Sequence, residues 1–319
     1  MSDIKKTTYS FNSRSDGLAL SVLRFEPENP TEIKGIVQLV HGMNEYKERY
    51  IPFMEFLAGQ GYLCVIHDHR GHGHSVEKKE DLGYWYKGGY EALIEDIHDI
   101  TLDIKTYARN LTGKTDLQFI LLGHSMGSMA VRCYLQRYDD ELSKLIVVGC
   151  PSKQPGMKSG LALIKIVKAF KGERHVSMFI AGLVMGNYEK KFAKEGLPHS
   201  WVNSNPEEVK KYGNDPYCNY VFTLNGFENL VKLTMETYKK SGYVMNNPSL
   251  PIRFFSGADD PCAVSEKAFN AAVDLIKKQG YTDAEGKLYE GMRHEILNEK
   301  NKDMVYKDIL EFIKDTPNA

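Results

Sequence analysis

The chain is short of net charge. Its 41 Lys and Arg stand against 42 Asp and Glu, a balance of −1. A protein that holds nucleic acid carries a cationic excess, so no nucleic-acid partner is expected, and contact with a membrane surface is transient at most. Cysteine is equally sparse: Cys64, Cys133, Cys150, Cys218 and Cys262 are scattered, odd in number and without CxxC spacing. That excludes a disulfide scaffold and points to buried free thiols in a reducing compartment, the cytosol by default. No stretch approaches the roughly 18 uninterrupted apolar residues of a membrane span. The opening MSDIKKTTYS has no apolar run after its charges, so no signal peptide is expected. Internal repeats and low-complexity tracts are also missing, which removes solenoids and long linkers. What is present is length: 319 residues bury a large core, as one α/β domain or as one domain carrying an insertion.

Strand-like runs at 18–25, 34–40, 62–66, 119–122, 145–149, 252–256 and 287–289 alternate with helical patterns. The helices are expected at 50–60, 90–109, after Ser125, and at 227–240, 265–279 and 303–314. Alternation of this kind predicts a mostly parallel central sheet with helices on both faces. The rhythm breaks at Pro151. From there to about Phe222 apolar helical runs at 161–170 and 178–185 are followed by a polar, proline-punctuated piece. The division expected is therefore a core of residues 1–150 and 223–319 with a helical insertion at 151–222, placed at the sheet's C-terminal edge, where open α/β sheets bind ligands.

The stretch that carries chemistry is LQFILLGHSMGSMA at 117–130. An apolar strand is cut off by Gly123-His124-Ser125-Met126-Gly127 and a helix follows, the order in which a G-x-S-x-G serine is pushed out of the fold as a nucleophile. Gly123 and Gly127 flank the turn because side chains there would strike the neighbouring strand and helix. A serine hydroxyl needs a base, a group to orient the base, and donors for the oxyanion. With the order serine, acid, histidine, the acid belongs after a late strand, where Asp259 and Asp260 compete within GADDP. Asp260, just before proline, is preferred and Asp259 held in reserve. His294, in the loop after the last strand, is the expected base. Two backbone N–H groups, of Met126 after the serine and of Met43 in His41-Gly42-Met43, are the expected oxyanion donors. His41 itself precedes the serine and is expected to pack beneath its loop.

His67, Asp68, His69, His72 and His74 crowd one glycine-rich turn, but their spacing makes no i, i+4 face and no metal is expected. Asp68 and Arg70 are expected to tie that turn down. In the insertion, Ile164, Val167, Phe170, Phe179, Leu183 and Met185 are candidates to line an acyl pocket, or else form the insertion's own core. Its Lys153, Lys158, Lys165, Lys168, Lys171 and Arg174 read as a solvated face, with contact to phosphate head groups or an interface as the alternative.

HGMNE, DHRGHGHS, GHSMG, SGADDP and GMRHEILNE, in that order, resemble the α/β-hydrolases of the monoglyceride-lipase and lysophospholipase-like group, the "serine aminopeptidase" family. The resemblance covers nearly the whole length and is weakest in the insertion. It implies an α/β-hydrolase fold with a helical cap, and Ser125, Asp260 and His294 as nucleophile, acid and base. It also implies Met43 and Met126 as oxyanion donors, and hydrolysis of small-molecule carboxylic or lipid esters without a cofactor. One departure stands out: Tyr46 follows Glu45 where eukaryotic monoglyceride lipases commonly have histidine. A peptidase or amidase would use the same triad. A non-catalytic ligand receptor of this fold normally lacks a member of it.

Overall fold

A computed structural model describes residues 3–315. Eight strands form one sheet in the order β1-β2-β4-β3-β5-β6-β7-β8. They are β1 (Ile4–Asn12), β2 (Ala19–Pro27), β3 (Gly35–Val40), β4 (Tyr62–His67), β5 (Gln118–His124), β6 (Lys144–Val148), β7 (Ile252–Gly257) and β8 (Ala284–Tyr289). From β4 onward every pairing is parallel, whereas β1 pairs β2 and β2 pairs β4 antiparallel. The central strands β3, β4 and β6 are buried along their whole length and read as apolar, β-branched runs. Such strands need cover on both faces.

That cover comes from two layers, and the period-2 alternation of the strands assigns residues to each. Phe119, Leu121, Leu145 and Val147 join the core shared with α2 (Gly89–Thr112) and α3 (Met126–Tyr138). Their neighbours Ile120, Leu122, Ile146 and Val148 join the opposite core, with α1 (Ile51–Ala58) and the C-terminal helix Lys302–Lys314. Burying each such side chain contributes about 1.5–3 kcal/mol. The predicted stripe of α2, Leu93, Ile97, Ile100 and Ile104, is wholly buried.

Strand β1 was not expected. Its IKKTTYSFN alternates exposed and half-buried residues at the sheet edge, with too few apolar side chains to register as a strand.

Between β6 and β7 lie α4 (Met157–Lys171), α5 (Met178–Phe192), α6 (Pro206–Asn214) and α7 (Leu224–Thr237). Helix α6 begins at Pro206 with the Asn205 side chain capping the Glu207 N–H. It falls in the piece that looked merely polar. Helix α7 packs on α3 and α4, joining this region to the core. Two further helices, α8 (Glu266–Gln279) and α9 (Lys302–Lys314), complete the described chain.

The histidine-rich turn after β4 is held as its charges imply. Arg70, fully buried, meets Asp96 at 2.8 Å and Asp16 at 2.9 Å. Asp68 accepts from Lys47 Nζ and the Lys47 N–H, both at 2.7 Å, and from the His74 N–H at 2.8 Å.

Candidate active site

Ser125 sits at φ 53, ψ −116, between the end of β5 and the first turn of α3. Non-glycine residues rarely adopt such a backbone, and it persists only where the surroundings force it. The forcing is visible on both sides. A Cβ on Gly123 would lie 2.4 Å from the Gly127 carbonyl oxygen, and one on Gly127 would lie 2.1 Å from that of Val40. Only glycines permit strand and helix to approach this closely around the serine.

The three predicted side chains converge. His294 Nε2 is 2.7 Å from Ser125 Oγ, and His294 Nδ1 is 2.9 Å from Asp260 Oδ2. Asp260 also accepts from the Cys262 N–H at 2.8 Å and the Ser256 hydroxyl at 3.2 Å. Burial works to raise its pKa, but His294 and these donors win and hold the carboxyl below its ordinary value. Asp259 is exposed, and no side-chain contact brings it to His294.

Met126 opens α3, where an N–H has no intrahelical acceptor. Met43 lies just past β3, and its N–H has no protein acceptor among the described residues. Both residues line the same cavity as Ser125 and His294. His41 packs beneath this loop as expected: its Nε2 accepts the His69 N–H at 2.9 Å and its Nδ1 donates to the Gly42 carbonyl at 2.8 Å.

Behind the serine lies a charged pair that sequence reading passed over. Glu45 Oε1 is 2.8 Å from His124 Nδ1, and it also accepts the Gly42 N–H at 2.5 Å and the Tyr50 hydroxyl at 2.9 Å. Burial opposes charge on both partners, yet the pairing dominates: the Glu45 carboxyl is held well below its usual range and the His124 imidazole is raised. His124 Nε2 then donates to the His294 carbonyl at 3.2 Å. Both residues stood inside quoted motifs, but nothing local marks a bond spanning 79 positions.

The cavity above Ser125 encloses about 580 Å³. Of the six expected lining residues, Ile164, Leu183 and Met185 do line it. Phe170 and Phe179 face solvent, 85% and 64% exposed, and Val167 packs at the edge of the main core instead. Position along the helix accounts for Phe170, which lies only about 20° round α4 from Leu163 but two turns beyond it, whereas rotation accounts for Phe179, turned about 100° from the buried Ile180. Ile180, Leu163, Val184 and Leu230 were not expected and complete the apolar wall.

Among the described residues, the donors close enough to share a metal ion are Asp260, Cys262 and His294, within 4.8 Å. Two of these are already committed to each other. The histidine turn forms no such group among those residues.

A mostly parallel sheet with a strained serine turn after β5, an acid after β7 and a histidine after β8 is the α/β-hydrolase architecture. The profile of the family described as "Serine aminopeptidase, S33" matches residues 31–301, and the chain belongs to that family. It is 25% identical to a monoacylglycerol lipase of Mycolicibacterium smegmatis over 284 residues, 89% of each chain. A thermostable carboxyl esterase from Bacillus coagulans, solved with glycerol, superposes with a TM-score of 0.85 at 25% identity, covering 98% of both chains. A monoglyceride lipase from Saccharomyces cerevisiae, solved with a substrate analogue, gives a TM-score of 0.72 at 20% identity over 97% of this chain and 94% of its own.

Proposed function

We propose that the protein is a serine hydrolase that cleaves carboxylic esters of acyl chains, of the monoacylglycerol lipase, lysophospholipase or carboxylesterase type, through an acyl-enzyme. The observation that carries this reading is the unbroken chain Asp260–His294–Ser125 on the floor of an apolar cavity. His294 takes the Ser125 proton as Oγ attacks the ester carbonyl, and Asp260 holds the imidazole tautomer and balances its charge. The Met43 and Met126 N–H groups receive the oxyanion. His294 then protonates the leaving alcohol and activates the water that releases the acid. The monoacylglycerol lipase and esterase relatives support the ester class.

Residues 151–222 act as the cap and the remainder as the core. Ile164, Leu183 and Met185, with Ile180, contact the acyl chain. Five free, buried thiols favour a reducing, cytosolic location. Among the described residues no helix is long and apolar enough to cross a membrane.

An aminopeptidase needs a carboxylate free to bind the substrate amine. The acids lining the cavity, Glu45 and Glu295, are instead taken by His124 at 2.8 Å and Arg49 at 2.6 Å, which favours esters over aminoacyl amides. The test is a panel of monoacylglycerols, lysophospholipids, short esters and aminoacyl amides, with fluorophosphonate labelling of Ser125. Labelling that survives Ser125→Ala, or amide turnover exceeding ester turnover, would overturn the reading.

A further inference from the structure

Two rings lie against the general base. The His124 ring is 4.8 Å from that of His294, centroid to centroid. The Trp201 ring is 5.1 Å away at an interplanar angle of 44°. Trp201 does not belong to the sheet or to the loops that carry the triad. It comes from the segment between α5 and α6, in the insertion.

That segment is sewn to the loop that bears His294. The Glu295 N–H donates to the Val202 carbonyl at 2.8 Å, and the Arg293 guanidinium donates to the carbonyls of Ser200 and Asn203. Glu299, buried, accepts the Arg293 N–H at 2.9 Å, the Ser204 N–H at 2.8 Å and the Ser204 hydroxyl at 2.5 Å. Trp201 is held by its own ring as well: Nε1 donates to Glu189 at 3.1 Å and Tyr188 packs at 5.3 Å. A ring this heavily anchored is not incidental filling.

We infer that Trp201 is a positioning residue for the reaction: its ring stabilises the imidazolium that His294 becomes when it takes the serine proton. The inference rests on the triad reading above. A cation within about 6 Å of a tryptophan ring is attracted to its face, most strongly where water is excluded. His294 and Trp201 are 3% and 9% exposed, so little water reaches the contact between them.

The other groups facing His294 are accounted for. Asp260 holds Nδ1 at 2.9 Å, and Ser125 meets Nε2 at 2.7 Å. The Cys262 thiol lies 4.0 Å from Nε2, and burial beside Asp260 pushes it up, keeping it a neutral neighbour. His124 carries its charge against Glu45, Glu295 against Arg49, and Arg293 against Glu195. Lys191, on the cavity wall, donates to the Asp259 carbonyl at 2.7 Å. Among these, Asp260 at 2.9 Å and the Trp201 ring at 5.1 Å favour the charged imidazole, while the opposing charge of His124, 4.8 Å away, is balanced by Glu45.

The experiment compares Trp201→Leu with Trp201→Phe, each checked for folding by circular dichroism and thermal melting. In Trp201→Leu the ascending limb of kcat/KM for a short p-nitrophenyl ester moves to lower pH by about half a unit to one and a half units. Its kcat falls about 2- to 30-fold, while KM changes little. Trp201→Phe, which keeps an aromatic face, restores most of both. An NMR titration of the His294 imidazole in the resting protein reads the same shift without any substrate, so it separates this inference from the choice of reaction. A fall in kcat with the limb and the imidazole titration unmoved, or identical behaviour of the Leu and Phe variants, reduces Trp201 to packing and overturns the inference.

Discussion

Glu45 Oε1 and His124 Nδ1 lie 2.8 Å apart in a fully buried ion pair, directly beneath the serine turn. Through the Gly42 N–H, Glu45 fixes the loop that offers Met43, and through His124 it reaches the backbone of His294. One carboxylate thus tethers two parts of the site. In Glu45→Ala, His124 and the Gly42 N–H lose their acceptor, and breaking a buried pair of this kind costs about 3–5 kcal/mol. Urea unfolding should register that loss. In any folded fraction, loosening of the Met43 N–H, the proposed oxyanion donor, should lower kcat by up to roughly 10²–10³. Wild-type stability and turnover in this variant would show that the pair is idle.

The backbone at Ser125 is strained whatever its side chain does. Removing the hydroxyl in Ser125→Ala lowers turnover by up to roughly 10⁶ but keeps the strain. Ser125→Gly also removes the Cβ and should recover part of the roughly 1–3 kcal/mol that such a conformation costs. Differential scanning calorimetry should therefore rank glycine above alanine at this position, against its usual effect in ordered structure. Equal melting temperatures would mean that the turn is relaxed.

Four imidazoles, His41, His67, His69 and His72, are fully buried, and burial holds each below its ordinary pKa. His72 falls to about 4 and His67 to about 3. Among the described residues both ring nitrogens of His67 lack a hydrogen-bond partner, so a charge there would be unpaired. The unfolded chain takes up these protons near pH 6.5 and the folded one does not, so the neutral rings stabilise the fold above that pH. This stability is lost as the pH falls from about 6.5 towards 4 and 3, at up to about 1.4 kcal/mol per pH unit for each histidine. Urea midpoints at pH 7 and pH 5 test this, and no decrease at the lower pH would contradict it.

Leu163 lines the cavity, whereas Phe170, on the same helix, faces solvent. Leu163→Trp should shorten the usable acyl chain. Each methylene no longer buried forfeits about 0.8 kcal/mol, close to fourfold in kcat/KM. A series of esters from acetate to decanoate should thus lose its rise at long chains and keep its short-chain rate. Phe170→Ser should leave the profile for dissolved esters unchanged. If the Leu163 variant still favoured decanoate as wild type does, the acyl chain would lie elsewhere.

Ser125 and His294 were legible because their positions are set by chain order: a glycine-flanked turn after an apolar strand, and a histidine after the last one. The acid was legible as Asp260 ahead of Asp259 by one cue alone, its place just before Pro261. Asp259 and Asp260 share one turn, and which carboxylate faces inward depends on the backbone path, not on residue type. Apolar character alone also failed to sort Phe170 from Ile164, because α4 has large apolar residues on both its buried and its exposed face. Strand β1 was hidden by its lysines and threonines. Glu45, His124 and Trp201 act through contacts far apart in the chain, and no local period encodes those.

The seam between residues 200–204 and 293–299 bears on engineering. Replacing residues 151–222 with the corresponding segment of another esterase, to change its substrate, would also replace the ring that lies against His294. A graft confined to α4 and α5 would redraw the wall of the chamber and leave that neighbour in place.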